Sequence, residues 1–263
     1  MRCSLLIFSI LLLFSCRKES KNTQSIAIGH AAMGLEMSNA IFHDNSKEAI
    51  DLALNYYQID GVELDVQMSA DGDLWLYHDV NLASSTDGQS CINNLNSSVL
   101  NSIRYSSFHR ESLLQLDSLL IDRFGSKQIF LDLRHFNNCK EQKVSFPNFF
   151  NALESLHLKD HLNIHCIVSD PSLLEYLEND FSIYFATDNY EEGVHLLQNH
   201  PNILGLVIRN KMVTEQEIKA LQLLGKKSIV FDLRSPASIK NALSKNPDFI
   251  MSDDIPVALS LMH

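Results

Sequence analysis

Glycine-rich phosphate loops, CxxC pairs, basic clusters and long apolar runs are all missing from this chain. No Gly-rich turn follows the first strand-like run at residues 26–30, which argues against a nucleotide-binding, doubly wound sheet. Of five cysteines, Cys91, Cys139 and Cys166 lie beyond the first 16 residues. Their number is odd and no CxxC spacing occurs, so a disulfide framework is excluded and at most one bridge can form. No histidine spacing supports a cysteine nucleophile either. Lys and Arg number 21 against 32 Asp and Glu, a net charge of −11. Such a chain is a poor nucleic-acid binder, and an anionic substrate must be met by a few placed cations or by a metal. The apolar run Leu5 to Phe14 falls short of the roughly 20 residues that a spanning helix needs.

That run, with Arg2 before it, fits the h-region of a secretory signal over residues 1–15. It ends in Leu13-Phe14-Ser15-Cys16, followed by polar Arg17-Lys18-Glu19-Ser20-Lys21. The pattern resembles a bacterial lipoprotein signal, in which Cys16 would be lipidated. Residues 16–25 would then be a tether, and the protein would sit on a membrane of the cell envelope. The alternative is an ordinary cleaved signal with an incidental cysteine.

From residue 26 to 263 the chain reads as one domain of ordinary apolar content. Strand-like runs fall at 26–30, 62–66, 129–134, 163–168, 183–186, 204–208, 228–233 and 249–251. Helical patterns lie between them at 46–57, 112–124, 146–156, 171–178, 190–198, 215–224 and 236–244. Thr214-Glu215-Gln216-Glu217 is a capping-box start, and Gly225 marks that helix's end. Eight β–α units in this length predict an α/β fold, a (β/α)8 TIM barrel; an open doubly wound sheet is the runner-up.

Residues 61–79 carry the strongest functional signal. The spacing predicts a hairpin with a two-residue turn at Asp71-Gly72 and Asp65 opposite His78. Its returning arm, Leu74 to His78, is antiparallel and cannot join a parallel sheet. It begins a small hairpin-and-loop insertion after the second strand, continued by residues 80–111, which are rich in Ser, Asn and Asp. Glu63 and Asp65, two apart in an apolar strand, project from one face.

In such a barrel the side chains at the C-terminal strand ends form the active site. Those positions hold His30, then Glu63 and Asp65 with His78 returned by the hairpin, then Asp132 and Arg134. Later strands offer Ser169 and Asp170, Asp188, Arg209 and Asn210, Asp232 and Arg234, and Ser252 to Asp254. Glu63, Asp65 and Asp132 are three hard oxygen donors suited to Mg²⁺ or Ca²⁺. His30 and His78 can serve as general acid and base beside such a metal. Arg134 either clamps a phosphate or pairs with a nearby carboxylate.

These residues resemble the glycerophosphodiester phosphodiesterase family. The matching pieces are Gly29-His30 with Met33-Gly34, Asn45-Ser46, Asp60 through Gln67, Asp71-Gly72, His78-Asp79, Thr86 and Gly88. Pro247 through Pro256 is similar to the family's closing strand and Asp-x-Pro turn. The resemblance implies a TIM barrel that binds Ca²⁺ or Mg²⁺ and hydrolyses a glycerophosphodiester to glycerol 3-phosphate and an alcohol. It carries the acid/base pair onto His30 and His78, and metal ligation onto Glu63 and Asp65. Three positions depart from the family pattern. Ala31 stands where Arg is usual, Asp132-Leu133-Arg134 replaces Glu-x-Lys, and Phe231 lies near the place of a tryptophan. They leave open a second reading, a lipoprotein relative that binds phosphodiesters or a partner without turnover.

Overall fold

A computed structural model describes residues 25–35, 37, 40–119, 125–135, 144–157 and 161–262. The expected signal, Cys16 and most of the tether lie outside the described residues, as do Cys139 and the end of the helix expected at 112–124. Among the described residues, no helix is long and apolar enough to cross a membrane. Cys91 is disulfide-bonded and Cys166 is free and buried.

Eight parallel strands among the described residues close the expected barrel. They are β1 (Ile26–Gly29), β2 (Gly61–Met68), β5 (Gln128–Leu133), β6 (Ile164–Val168), β7 (Ile183–Ala186), β8 (Gly205–Arg209), β9 (Lys227–Leu233) and β10 (Phe249–Ser252). Neighbours follow chain order, and β1 pairs with both β10 and β2. The β1–β2 seam has only two register pairs, Ile28↔Gly61 and Gly29↔Val62, whereas β2–β5 has six.

Strand alternation sorts the side chains. Val62, Leu64, Val66, Leu131, Cys166, Leu206 and Ile208 face the helical layer and form the main core with it. Ile28, Phe130, Ile167, Tyr184, Val207, Ile229, Phe249 and Met251 fill the barrel interior. This floor is aromatic: Phe130 meets Tyr184 and Phe249 edge-on, each at 5.5 Å between ring centroids. His165 lies in the same layer, with Nε2 2.8 Å from Gln128 Oε1.

Helix ends follow local chemistry. The helix over Lys47–Asp51 (α1) starts at Ser46, whose side chain accepts from Ala49 N, and continues as a π-helical turn over Leu52–Tyr56. The helix over Glu215–Leu223 has both halves of the predicted capping box, and Gly225 beyond it takes φ +72°.

Two local expectations are corrected. The hairpin register is one residue off: Val66 faces Leu76 and Met68 faces Leu74, so Tyr77, not His78, donates its N–H to Asp65 O. The loop has three residues, Ala70 to Gly72. A β-turn closed by Gly72 N to Ser69 O leaves only Gly72 with positive φ, +97°, the three-residue hairpin solution. Asp71 then turns outward and accepts from the N–H of Ser97 at 3.0 Å. Residues 112–119 are also not helical. Leu114–Gln115 forms β4, antiparallel to β3 (Leu74–Leu76), and a 3₁₀ turn covers Leu116–Ser118. The insertion is no loose loop. Trp75, Tyr77, Leu82, Ile92, Leu100, Ile103, Tyr105 and Leu113 give it a small core of its own.

Candidate active site

The connection after β1 is built for close approach. A Cβ on Gly29 would lie 1.7 Å from the Ala32 carbonyl oxygen, so only glycine fits there. Ala31 and Ala32 take φ +45° and +77°, a conformation costing roughly 1–2 kcal/mol per non-glycine residue. The bend aims the Ala31 N–H at Glu63 Oε2, 2.8 Å away, and the Ala32 N–H at the Glu63 carbonyl. It leaves His30 at the rim of the barrel, above the seam.

Glu63 lies opposite Phe130, and Asp65 opposite Asp132, so all three carboxylates share the interior face. One oxygen from each lies within 4.8 Å of the others. Asn45, itself at φ +55°, donates Nδ2 to Asp65 Oδ2 at 2.7 Å and accepts the Asp65 N–H at 3.0 Å. Glu63 Oε1 is buried without a hydrogen-bond partner. A buried anionic oxygen left so is costly unless a cation meets it. Burial, then the charges of Asp65 and Asp132, push the Glu63 carboxyl well above its ordinary range. Burial also raises Asp132. For Asp65 burial is outweighed by Arg134, His78 and Asn45, which hold it low. Three crowded hard oxygens, one of them unpartnered, fit a divalent cation.

Arg134 pairs with these carboxylates. Its Nε is 2.5 Å from Asp65 Oδ1, close but poorly aligned as a hydrogen bond, and Nη2 is 3.1 Å from Asp132 Oδ2. Nη1 donates to the His78 carbonyl at 3.3 Å. Arg134 thus makes the carboxylate pairing, one of its two expected roles.

Both histidines reach the mouth. His30 Nδ1 is 2.8 Å from Asp253 Oδ1, and its Nε2 is 3.9 Å from Glu63 Oε2. An ionised carboxylate only accepts, so Nδ1 carries the proton and Nε2 is the working nitrogen. Burial alone would lower the His30 pKa, but the hydrogen bond and charge of Asp253 raise it. His78 repeats the device, with Nδ1 2.8 Å from Asp79 Oδ1. It arrives through the chain after β3, not through the predicted cross-strand pairing.

Sequence reasoning missed the roles of Asn45, Asp79 and Asp253. Asp253 is the clearest: its side chain is fully buried, and it also accepts the Leu35 N–H at 3.1 Å. The one available signal was a carboxylate directly after the last strand.

The opposite wall differs. Arg209 at the end of β8 lies against Asp188, with Nε 3.3 Å from Oδ1, and against Asp232, with Nη1 3.2 Å from Oδ2. Its guanidinium carbon is 4.8 Å from the Phe231 ring centre, and that ring meets His30 edge-on at 6.4 Å.

A model of the glycerophosphoryl diester phosphodiesterase family matches residues 33–191. No curated protein matches the sequence. Among solved structures, an Oleispira antarctica phosphodiesterase in complex with the product sn-glycerol-3-phosphate aligns with TM-score 0.75 and 19% identity, covering 89% of this chain and 95% of that one. Glycerophosphodiester phosphodiesterases from Agrobacterium tumefaciens (TM-score 0.71, 19% identity, 90% and 99% covered) and Parabacteroides distasonis (0.71, 17%, 92% and 98%) are similar. At these identities the structural likeness supports the barrel.

Proposed function

The chain belongs to the glycerophosphoryl diester phosphodiesterase family, a family of phosphoric diester hydrolases, and on that premise we propose that it is a metal-dependent enzyme using two histidines. The substrate would be a glycerophosphodiester, and the products glycerol 3-phosphate and an alcohol. The observation that carries the reading is the buried, unpartnered Glu63 oxygen among three converging carboxylates, beside a histidine whose Nδ1 is already fixed.

Glu63, Asp65 and Asp132 would hold the cation, Ca²⁺ or Mg²⁺, with Asn45 fixing the Asp65 rotamer. Bound there, a divalent ion neutralises and polarises the phosphate oxygens. His30 and His78 would divide the proton work at their Nε2 atoms. One accepts the proton of the attacking oxygen, and the other returns a proton to the leaving alkoxide. Asp253 and Asp79 keep the Nδ1 protons in place, so each ring turns the correct nitrogen to the substrate. Arg134 would hold Asp65 and Asp132 ionised and lend positive charge near the phosphate.

The envelope location belongs to the same proposal. The apolar run before Cys16 supports a lipid anchor there, testable by labelling with a fatty-acid analogue and by Cys16→Ser.

The central test is direct. Residues 17–263 with Ca²⁺ or Mg²⁺ should release glycerol 3-phosphate from a panel of glycerophosphodiesters, and EDTA should abolish the release. Diester binding without turnover, under every divalent metal tried, would replace the proposal with a non-catalytic, ligand-holding protein.

A further inference from the structure

The β9–β10 pairing contains an irregularity that serves the mouth. Ile250 faces Val230 but Ser252 faces Leu233, so β9 carries one extra residue at Phe231-Asp232. Without it, alternation would send Asp232 toward the helical layer. With it, Leu233 takes that outward place in the main core, and Phe231 and Asp232 both turn to the barrel mouth. Asp232 adopts φ +65° to do so, and such strain persists where surrounding structure enforces it. The extra residue delivers the Asp232 carboxylate to Arg209.

Arg209 shares the interior face of β8 with Val207, since Leu206 and Ile208, on either side of Val207, face outward. In the circular order of strands β8 stands across from β2. Arg209 therefore confronts the carboxylate cluster from the far wall, one aromatic ring's width from His30. That separation suits the alcohol end of a diester whose phosphorus lies beside His30. The local chemistry is mixed. Arg209 and Arg234, whose Nε is 3.8 Å from Asp232 Oδ1, offer donors, while Asp188 and Asp232 offer acceptors. One face of the Phe231 ring is already covered by the Arg209 guanidinium, which withholds that face from a quaternary ammonium.

Resting on the function proposed above, we infer that Arg209, held by Asp188, Asp232 and Phe231, is the specificity-determining residue for the alcohol half, and that this half is hydroxyl-rich, a polyol such as glycerol or inositol. Donors and acceptors set side by side can satisfy a row of hydroxyls, each of which both donates and accepts. A choline group, lacking hydrogen-bonding groups and carrying positive charge, would leave them unmet beside two guanidinium groups.

Steady-state kinetics of the native chain and R209Q on glycerophosphoinositol and glycerophosphocholine test this. The native chain should favour the inositol diester in kcat/KM by about 10-fold or more, and R209Q should shrink that ratio by about 10- to 100-fold, mainly through KM. R209K, which keeps the charge but loses the planar fork, should fall between. It also serves if R209Q melts early. A native preference for choline, or a ratio unchanged in both variants, overturns the inference. If no diester is cleaved, the proposed function fails by itself. The inference is then decided by calorimetric binding of the same two diesters to the native chain and R209K: tighter inositol-diester binding, weakened by the variant, upholds it, and equal binding overturns it.

Discussion

Two histidines occupy the interior of one barrel, at opposite ends, and their proton affinities are pushed in opposite directions. His30 at the mouth has a buried carboxylate, Asp253, 2.8 Å from Nδ1, and its pKa is raised. His165 on the floor packs at a tilt against Phe130 and meets Tyr184 edge-on. Among the described residues its one hydrogen bond is with neutral Gln128, and Nδ1 has no hydrogen-bond partner. Burial pushes the His165 pKa down to about 4. Enclosure by itself favours the neutral ring in both places. A single anion decides in which direction the imidazole's proton affinity moves, so burial is a poor guide to role and the partner a good one.

The comparison breaks most sharply at His30. His30→Ala should lower kcat by about 10²- to 10⁴-fold, as general acid–base catalysis predicts; unchanged turnover in a glycerol 3-phosphate release assay would remove His30 from the reaction.

The next effect is one of stability. His165 has a folded pKa of about 4 against an ordinary value of 6.5. The unfolded chain then binds more protons between those values, so stability is complete above pH 6.5 and falls as the pH drops toward 4. The loss should approach about 3 kcal/mol. Urea melts at pH 7 and pH 4.5 should show it in the native chain and much less in His165→Phe. Equal acid sensitivity in both would locate the effect elsewhere.

Asp253→Asn sharpens the contrast by weakening the partner and leaving the ring. It should reduce kcat by about 10- to 100-fold, since the wrong tautomer becomes accessible, while KM moves little. A variant altered in KM alone would point to a merely structural role. Smallest of all, Lys47→Ala removes an exposed i,i+4 pair with Asp51 on α1 and should change stability by less than about 0.5 kcal/mol in thermal melts.

What could be read in advance was local. Strands declared themselves by apolar runs, and the Thr214–Glu217 cap by its spacing. Glu63 and Asp65 stood out because two charges inside an apolar strand demand an explanation. The hairpin register failed because Asp-Gly suits a three-residue loop as well as a two-residue one. Residues 112–119 failed because Leu113, Leu114 and Leu116 imitate a helical face while serving two different cores. Asp253 and Asn45 were invisible as partners because their bonds join residues 223 and 20 positions apart. Nothing in a spacing pattern reports such closure.

Where the barrel closes on itself, two register pairs join its first strand to its second. The reacting groups straddle that thin join, His30 on one edge and Glu63 with Asp65 on the other. Ligand that grips both edges would therefore act as a clasp as well as a reactant. Heat inactivation and unzipping of the cylinder should then be one event, postponed together whenever the clasp is fastened.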